Sequence, residues 1–202
     1  DPTTNSSSGS AQAKRNYAKC EDAAGWICNG RFRQLAGEPI ACDDKGRARK
    51  YYQPAKVPLQ IFLPRVTISV WELVARKAGL PMPEFPVVGL GGETIGFWDW
   101  VKTTNCQVIL TEGEKKAASL ISRGYVAIGL VGIRTGYRVT EKGEWITKQD
   151  GTQYQKAIAR ELHESLKDFN TPGRAVTFLF DYWPGDYFKS PEFQAACTTS
   201  KL

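Results

Sequence analysis

The sequence predicts an α/β fold in which a parallel β-sheet is flanked by helices and preceded by a smaller mixed α+β region. Three short apolar runs have the length and continuity of strands buried on both faces: QVILTEG (107–113), YVAIGLVG (125–132) and AVTFLFD (175–181). Segments with helical spacing lie between these runs. An order of strand, helix and strand is typical of a parallel sheet, so the fold class follows from the order of the runs.

The first half of the chain has a different pattern. Residues 1–15 are rich in Ser, Thr, Gly and Asn and are expected to form a flexible leader. Residues 16–100 contain short β-like runs separated by Gly and Pro, together with one helical candidate, ISVWELVARKAG (68–79). We therefore predict an accessory mixed α/β region over 16–100 and the parallel-sheet domain over 101–202.

Within the second domain, EKKAASLISRG (114–124) has helical spacing and ends at a glycine. An insertion rich in Gly, Lys and Thr follows at 133–152. QKAIARELHESLKDF (155–169) is predicted to be an amphipathic helix, and SPEFQAACTTSKL (190–202) a final helix. No apolar run remains for a further strand, so we expect that the natural protein continues beyond this sequence or that another segment fills the edge of the sheet.

The ends of the apolar runs suggest a site, because ligands of parallel sheets bind beyond the carboxyl ends of the strands. Glu112 ends the first run, Asp181 ends the third, and the second ends in Gly129 to Gly132. Two carboxylates beside a glycine-rich turn suit a hard cation such as Mg²⁺ and a phosphate. The alternative is that Glu112 simply stabilises the start of the following helix, where acids are favoured.

The charge of the chain favours a polyanionic partner. Lys and Arg number 27 against 21 acids, and the formal net charge is +6. The segment KGRARKYY places cations next to aromatic rings, a combination that suits single-stranded nucleic acid, and comprises Lys45, Arg47, Arg49, Lys50, Tyr51 and Tyr52. The alternative is a solvated charged face, with a tyrosine packed in a strand.

Other classes of protein are disfavoured. The five cysteines form no CxxC pair and have no neighbouring His, which argues against a structural zinc site. The sequence has neither the features of a signal peptide nor an apolar run of the roughly 18 residues that a membrane span requires. We therefore expect a cytoplasmic protein without a membrane partner.

The two segments LTEGEKK and FLFD together resemble the Toprim domain of primases and topoisomerases. More closely, TEGEKKAASLISRGYVAIGLVGI (111–133), preceded by GFWDWV and followed by TPGRAVTFLFDY, is similar to the Toprim region of cyanobacterial plasmid-replication proteins of the primase-helicase type. Upstream segments such as GWICNGRF also resemble that family, so the similarity extends over roughly residues 20–202. It implies a sheet of four parallel strands, of which this sequence supplies three.

The resemblance also implies roles for individual residues. Glu112 would act as a general acid or base, and Asp181 would bind Mg²⁺ or Mn²⁺ as the first member of an Asp-x-Asp motif. The second position of that motif is Trp183, which cannot bind the metal, so we expect weak metal binding unless Asp186 folds back as a substitute. Gly113, Lys115 and Lys116 begin the next helix and are candidates to bind phosphate or a nucleotide.

These features lead to three functional hypotheses. The first is a DNA replication protein with a primase-like Toprim domain, which acts on single-stranded DNA with nucleotides and Mg²⁺ and has a helicase region elsewhere in a longer chain. The second is a Toprim nuclease that uses the same carboxylates. The third is a replication initiator that binds DNA without catalysis. The sequence of the site does not separate them.

The basic segment from Lys45 to Tyr52 gives the first prediction. Neutralising Arg47 and Arg49 should flatten the slope of log affinity for single-stranded DNA against log salt, because fewer counterions are released. Tyr51→Ala and Tyr52→Ala should weaken binding at every salt concentration with little change in slope. Fluorescence anisotropy measures both effects, and binding that none of these substitutions alters would assign the contact to another part of the chain.

Overall fold

The structure is a computed structural model in which part of the chain is described. The described residues are 20, 23–28, 31–43, 45–49, 51–54, 59–84, 86–88, 92 and 94–202. The predicted leader (1–15) and the candidate residue Lys50 lie outside them. The described residues fall into two compact units that divide between Gln60 and Ile61. The predicted boundary at residues 100 and 101 lies inside the second unit.

The first unit contains a small antiparallel sheet. Its strands are β1 (Gly25–Cys28), β2 (Arg31–Gln34) and β3 (Tyr51–Tyr52), with β2 in the centre. Phe32 of β2 is buried and lies opposite Tyr52. The loop between β2 and β3 contains a tight turn in which the Asp43 carboxylate accepts hydrogen bonds from the backbone N–H groups of Lys45 and Arg47.

The second unit is built on a parallel sheet. Two helices precede it, α1 (Ile68–Ala78) and α2 (Phe97–Thr103), with the short strands β4 (Val87–Val88) and β5 (Thr94–Ile95) between them. The first two strands of the sheet are β6 (Val108–Glu112) and β7 (Ala127–Leu130). Its third strand, at Val176–Leu179, comes later in the chain. Helix α3 (Glu114–Ile121) connects β6 to β7.

The remaining elements lie after β7. A 3₁₀ turn (Ile133–Gly136) leads into a long hairpin of β8 (Tyr137–Thr147) and β9 (Gln153–Leu162), and a one-turn helix α4 (Glu164–Lys167) follows. The third strand of the parallel sheet is β10 (Val176–Leu179), followed by a second 3₁₀ turn (Tyr187–Lys189) and helix α5 (Pro191–Thr199). No helix in the described part of the chain has the length and apolar character that a membrane span needs.

The parallel sheet confirms the predicted fold class. Its order is β10, β6, β7, with all three strands parallel, and the strands match the three apolar runs. Every residue of β7 is buried, as is expected for a strand covered on both faces, whereas β10 at the edge of the sheet is largely exposed, contrary to the prediction. Helices α1 and α2 share the core of this sheet, so the segment at 68–79 forms the predicted helix.

An aromatic cluster joins the helices to the sheet. Trp71 of α1 packs edge-on against Phe97 and Trp100 of α2, with ring centroids 5.6 and 5.8 Å apart. Val101 of α2 is fully buried in the same core as Val108 of β6. Burying one aromatic side chain of this kind stabilises a fold by roughly 1.5–3 kcal/mol, so the cluster anchors α1 and α2 to the sheet.

Arg174 holds the chain at the start of the sheet. Its guanidinium group donates hydrogen bonds to the carbonyl oxygens of Val101 and Lys102 at the end of α2, at 3.0 and 2.9 Å, and to that of Cys106 just before β6, at 2.8 Å. Because Arg174 lies two residues before β10, these bonds join the entry points of two neighbouring strands. Carbonyl groups at a helix end lack partners within the helix, and a cationic donor satisfies them well.

The prediction of an amphipathic helix over residues 155–169 is wrong. Residues Gln153–Leu162 form strand β9, and only Glu164–Lys167 are helical. Strand β9 pairs with β8 from Tyr137↔Leu162 to Thr147↔Gln153, so hydrogen bonding across the hairpin overrides the local helix propensity of this alanine-containing segment. The final predicted helix is confirmed as α5, which starts at Pro191 after the capping residue Ser190.

Gly129 of β7 gives a prediction for stability. A Cβ atom at this position would lie 3.0 Å from the carbonyl oxygen of Gly113 and 3.0 Å from Cβ of Phe62, and both neighbours are held by backbone hydrogen bonds. We expect Gly129→Ala to lower the free energy of unfolding by roughly 1–3 kcal/mol, as overpacking of a core does. Gly132→Ala is the control, because a Cβ atom there meets nothing within 4 Å. Equal thermal midpoints for the two variants would contradict this prediction.

Candidate functional site

The register of the parallel sheet brings two carboxylates to one edge. Leu179 of β10 pairs with Thr111 of β6, and Glu112, the last residue of β6, pairs with Leu130 of β7. Asp181 follows Leu179 by two residues. Glu112 and Asp181 therefore lie at the carboxyl ends of adjacent parallel strands, whose backbones are about 4.8 Å apart in a sheet.

The turn from β6 into α3 is made by one residue, Gly113. Its φ of 88° and ψ of 154° lie in a region that is essentially restricted to glycine. Its N–H group donates to the carbonyl oxygen of Leu130 at 2.8 Å, which ties the turn to β7. Gly129 of β7 lies against this turn, and because it has no side chain the turn can approach β7 closely. The two glycines thus let helix α3 start at Glu114, after a single turn residue.

Glu114 is a residue of this turn that the sequence analysis missed. It lies in the first turn of α3 and is buried, with 7% of its surface exposed. Ala117 and Ile121 are buried on the same helix. The spacing of three and four residues between these positions marks a buried helix face, so this pattern could have identified Glu114 from the sequence.

Asp181 forms an ion pair with Lys116. The Lys116 ammonium group donates to Oδ1 of Asp181, and both side chains are partly exposed. A hydroxyl group nearby connects the two strands, because Thr111 Oγ1 donates to the carbonyl oxygen of Leu179 at 2.7 Å. These groups face an open groove lined by Thr111, Lys115, Lys116, Ser119, Leu120, Leu179, Phe180 and Asp181. Of the predicted phosphate-binding residues, Lys115 and Lys116 thus lie in the groove beside Asp181.

A third cation lies at the same edge of the sheet. Arg134 is exposed in the 3₁₀ turn that follows the carboxyl end of β7. The sequence analysis did not select it, because the segment around it was treated as an insertion. With Lys115 and Lys116, three cations thus lie on the segments that follow the carboxyl ends of β6 and β7, where they can attract an anionic ligand.

Asp186 does not complete a metal site. Its carboxylate caps the second 3₁₀ turn by accepting a hydrogen bond from the N–H group of Phe188 at 3.2 Å, and it pairs with Lys189 at 3.1 Å. Across the described residues, no three His, Cys, Asp or Glu side chains are close enough to hold a metal ion together. Asp186 therefore does not join Glu112 and Asp181 in a three-carboxylate group, because its local turn uses the carboxylate.

The two remaining carboxylates still fit one mode of Mg²⁺ binding. Mg²⁺ is usually held by one or two carboxylates, several water molecules and the phosphates of the substrate, and not by a complete protein cage. Asp181 can supply one such carboxylate in the groove, although it is paired with Lys116, and Glu112 ends the neighbouring strand without lining that groove. A metal bound here would need ligands from the substrate.

The basic segment lies in the first unit. Arg47 is held by Asp43, whose carboxylate accepts from Nε of Arg47 at 2.7 Å. The backbone hydrogen bond from Arg47 lowers the pKa of Asp43, and the hydrogen bond from the Arg47 side chain adds to this effect. The guanidinium carbon of Arg31 lies 4.1 Å from the centroid of the Tyr51 ring. Tyr51 and Tyr52 are half-buried in β3. Tyr51 thus already stacks on an arginine of the protein.

Comparisons with known proteins give a family match and one relative. Residues 97–186 match the model of a domain of unknown function (DUF3854). An uncharacterized protein of Picosynechococcus sp. is 31% identical over 178 residues, and this similarity covers 83% of the chain but only 16% of that relative. No solved structure matches the chain. The matched domain contains the whole parallel sheet, so the candidate site lies within it.

The Lys116 ion pair gives a prediction for metal binding. Lys116→Met should raise the affinity for Mn²⁺ by up to about 5-fold, because an exposed ion pair of this kind contributes at most about 1 kcal/mol and would no longer compete for Asp181. Lys115→Met removes the same charge from the neighbouring position and should have a smaller effect. Calorimetric titration measures both affinities. Equal increases for the two variants would mean that only the overall charge matters.

Proposed function

We propose that this chain contains the Toprim-type phosphoryl-transfer module of a DNA replication protein, which acts on single-stranded DNA with nucleotides and a divalent metal ion. The observation that carries the proposal is the position of Glu112 and Asp181 at the carboxyl ends of adjacent parallel strands, beside the glycine turn that starts α3. The length of the relative, of which this chain covers 16%, supports a place in a larger protein. A helicase region in such a protein is part of the proposal.

Each residue of the edge has a proposed task. Glu112 accepts the proton of the attacking hydroxyl group, or returns one to the leaving group, because its carboxylate ends β6 and is partly open to solvent. Lys115 and Arg134 attract the phosphates and hold them near the two carboxylates. A bound Mg²⁺ or Mn²⁺ would neutralise charge that develops on the transferred phosphoryl group.

Lys116 is expected to change partner when the substrate binds. In the structure its ammonium group neutralises Asp181. A phosphate that enters the groove offers Lys116 a second anion, and Asp181 then becomes available to a metal ion that arrives with that phosphate. This exchange would limit metal binding in the absence of the substrate, in agreement with the weak binding expected from Trp183.

A DNA-binding protein without catalysis is the second candidate. Two observations favour it: the second position of the Asp-x-Asp motif is Trp183, and Asp181 already has a cationic partner. In that case the three cations of the edge would bind the DNA backbone, and the carboxylates would have no catalytic role.

One experiment separates these functions. The purified chain is incubated with labelled single-stranded oligonucleotides and Mg²⁺ or Mn²⁺, with and without ribonucleotides. Glu112→Gln should lower the metal-dependent rate by roughly 10²- to 10⁴-fold, the usual contribution of a general acid or base, and Glu144→Gln on the hairpin should not change it. Extended products indicate a primase and shortened products a nuclease. A rate unaffected by Glu112→Gln, or binding without turnover, would contradict the catalytic proposal.

A further inference from the structure

The loop after Asp181 exposes an unusual number of aromatic rings. Within residues 182–188, here called the aromatic loop, Tyr182 is 88% exposed, Phe188 71%, Tyr187 55% and Trp183 41%. Large apolar side chains are normally exposed singly, and a contiguous exposed group of them indicates a binding surface. Four such rings in seven residues therefore indicate a surface that binds a ligand.

The aromatic loop is held in place by its own contacts. The rings of Tyr187 and Phe188 pack against Phe193 of α5, with centroids 5.2 and 5.1 Å away. The hydrogen bond from the N–H group of Phe188 to Asp186 fixes the turn between them. Rings that are positioned in advance lose little conformational entropy when they bind a flat ligand, which favours stacking.

Trp183 is also positioned by the backbone. A Cβ atom at Gly185 would lie 2.8 Å from Nε1 of Trp183, so the indole ring lies directly against this glycine. The residue that occupies the second position of the Asp-x-Asp motif is thus folded onto its own turn. Its indole ring remains 41% exposed.

The loop lies next to the cationic groove in the chain. Tyr182 follows Asp181 directly, and Asp181 pairs with Lys116 in the groove that also contains Lys115. A ligand that bridges these features has negative charges for the cations and flat apolar faces for the rings. An unpaired nucleic acid strand has both, whereas a duplex keeps its bases stacked inside.

We propose that the aromatic loop is a stacking platform for the bases of an unpaired DNA or RNA strand whose phosphates lie at Lys115 and Lys116. The inference rests on the proposed function for the identity of its ligand, but it requires no catalysis. It assigns a task to Tyr182, Trp183, Tyr187 and Phe188, and it accounts for Trp183 at a position where the family resemblance implies an acid.

Binding is tested in the presence of EDTA, so that metal chemistry plays no part. The probe is a fluorescently labelled oligothymidylate, compared with an abasic oligonucleotide of the same length and with a duplex. Tyr182→Ala and Phe188→Ala should each weaken oligothymidylate binding by roughly 5- to 150-fold, the range expected for the loss of one stacked base. Neither variant should change the weaker binding of the abasic strand, which offers only phosphates.

Tyr125→Ala is the matched control. Tyr125 is 43% exposed and lies just before β7, at the opposite end of the sheet from the aromatic loop. Its substitution should leave all three affinities unchanged. Because Tyr182 is almost fully exposed, Tyr182→Ala should keep the thermal midpoint of the native chain, so loss of binding is not loss of folding.

The outcomes separate the two proposals. Unchanged oligothymidylate affinity in Tyr182→Ala and Phe188→Ala, or equal losses on the abasic strand, would overturn the stacking platform and indicate that the rings serve another partner, such as a protein. Lost base stacking in these variants together with no metal-dependent turnover in the native chain would leave the platform standing and reject only the catalytic proposal.

Discussion

The parallel pairing of β6 with both of its neighbours is the constraint on which the second unit depends. Because β6 is central, its register with β10 on one side and β7 on the other determines what meets at the carboxyl edge of the sheet. Arg174 fixes the opposite end by joining the last turn of α2 to Cys106, two residues before β6. A shift of one residue in the pairing of β10 with β6 would change which residues of the two strands meet at this edge and would turn the side chains of the shifted strand to the other face.

The two aspartates that follow β10 each have a lysine partner. Asp181 has Lys116 as its partner, and Asp186 has its own turn and Lys189. An anionic ligand in the groove would disturb the first of these pairs and leave the second intact, because Lys116 lines the groove and Lys189 does not. The cations and the carboxylates of the edge are therefore coupled, and this coupling distinguishes the site from a preformed metal cage.

The hairpin shows where local sequence preferences fail. The segment at 155–169 has the composition of an amphipathic helix, yet β9 pairs along its length with β8 across a turn that contains Gly151 with a φ of 80°. The strands contain register shifts between Val139 and Trp145, and such irregularity obscures the alternation of apolar and polar residues by which a strand is recognised. Helix propensity is a weak preference, and long-range hydrogen bonding outweighed it here.

The sequence by itself determined the elements that have a strong local signal. The strands β6, β7 and β10 and the helices α1 and α5 were predictable, because continuous apolar runs and capping residues act over a few neighbouring positions. It also placed Glu112 and Asp181 at strand ends. Only the tertiary structure decided that Lys116 pairs with Asp181, that Asp186 is used by its own turn, that Glu114 is buried and that the rings after Asp181 are exposed. These features depend on which groups from distant parts of the chain become neighbours, and a pattern of residues read along one segment contains no information about that.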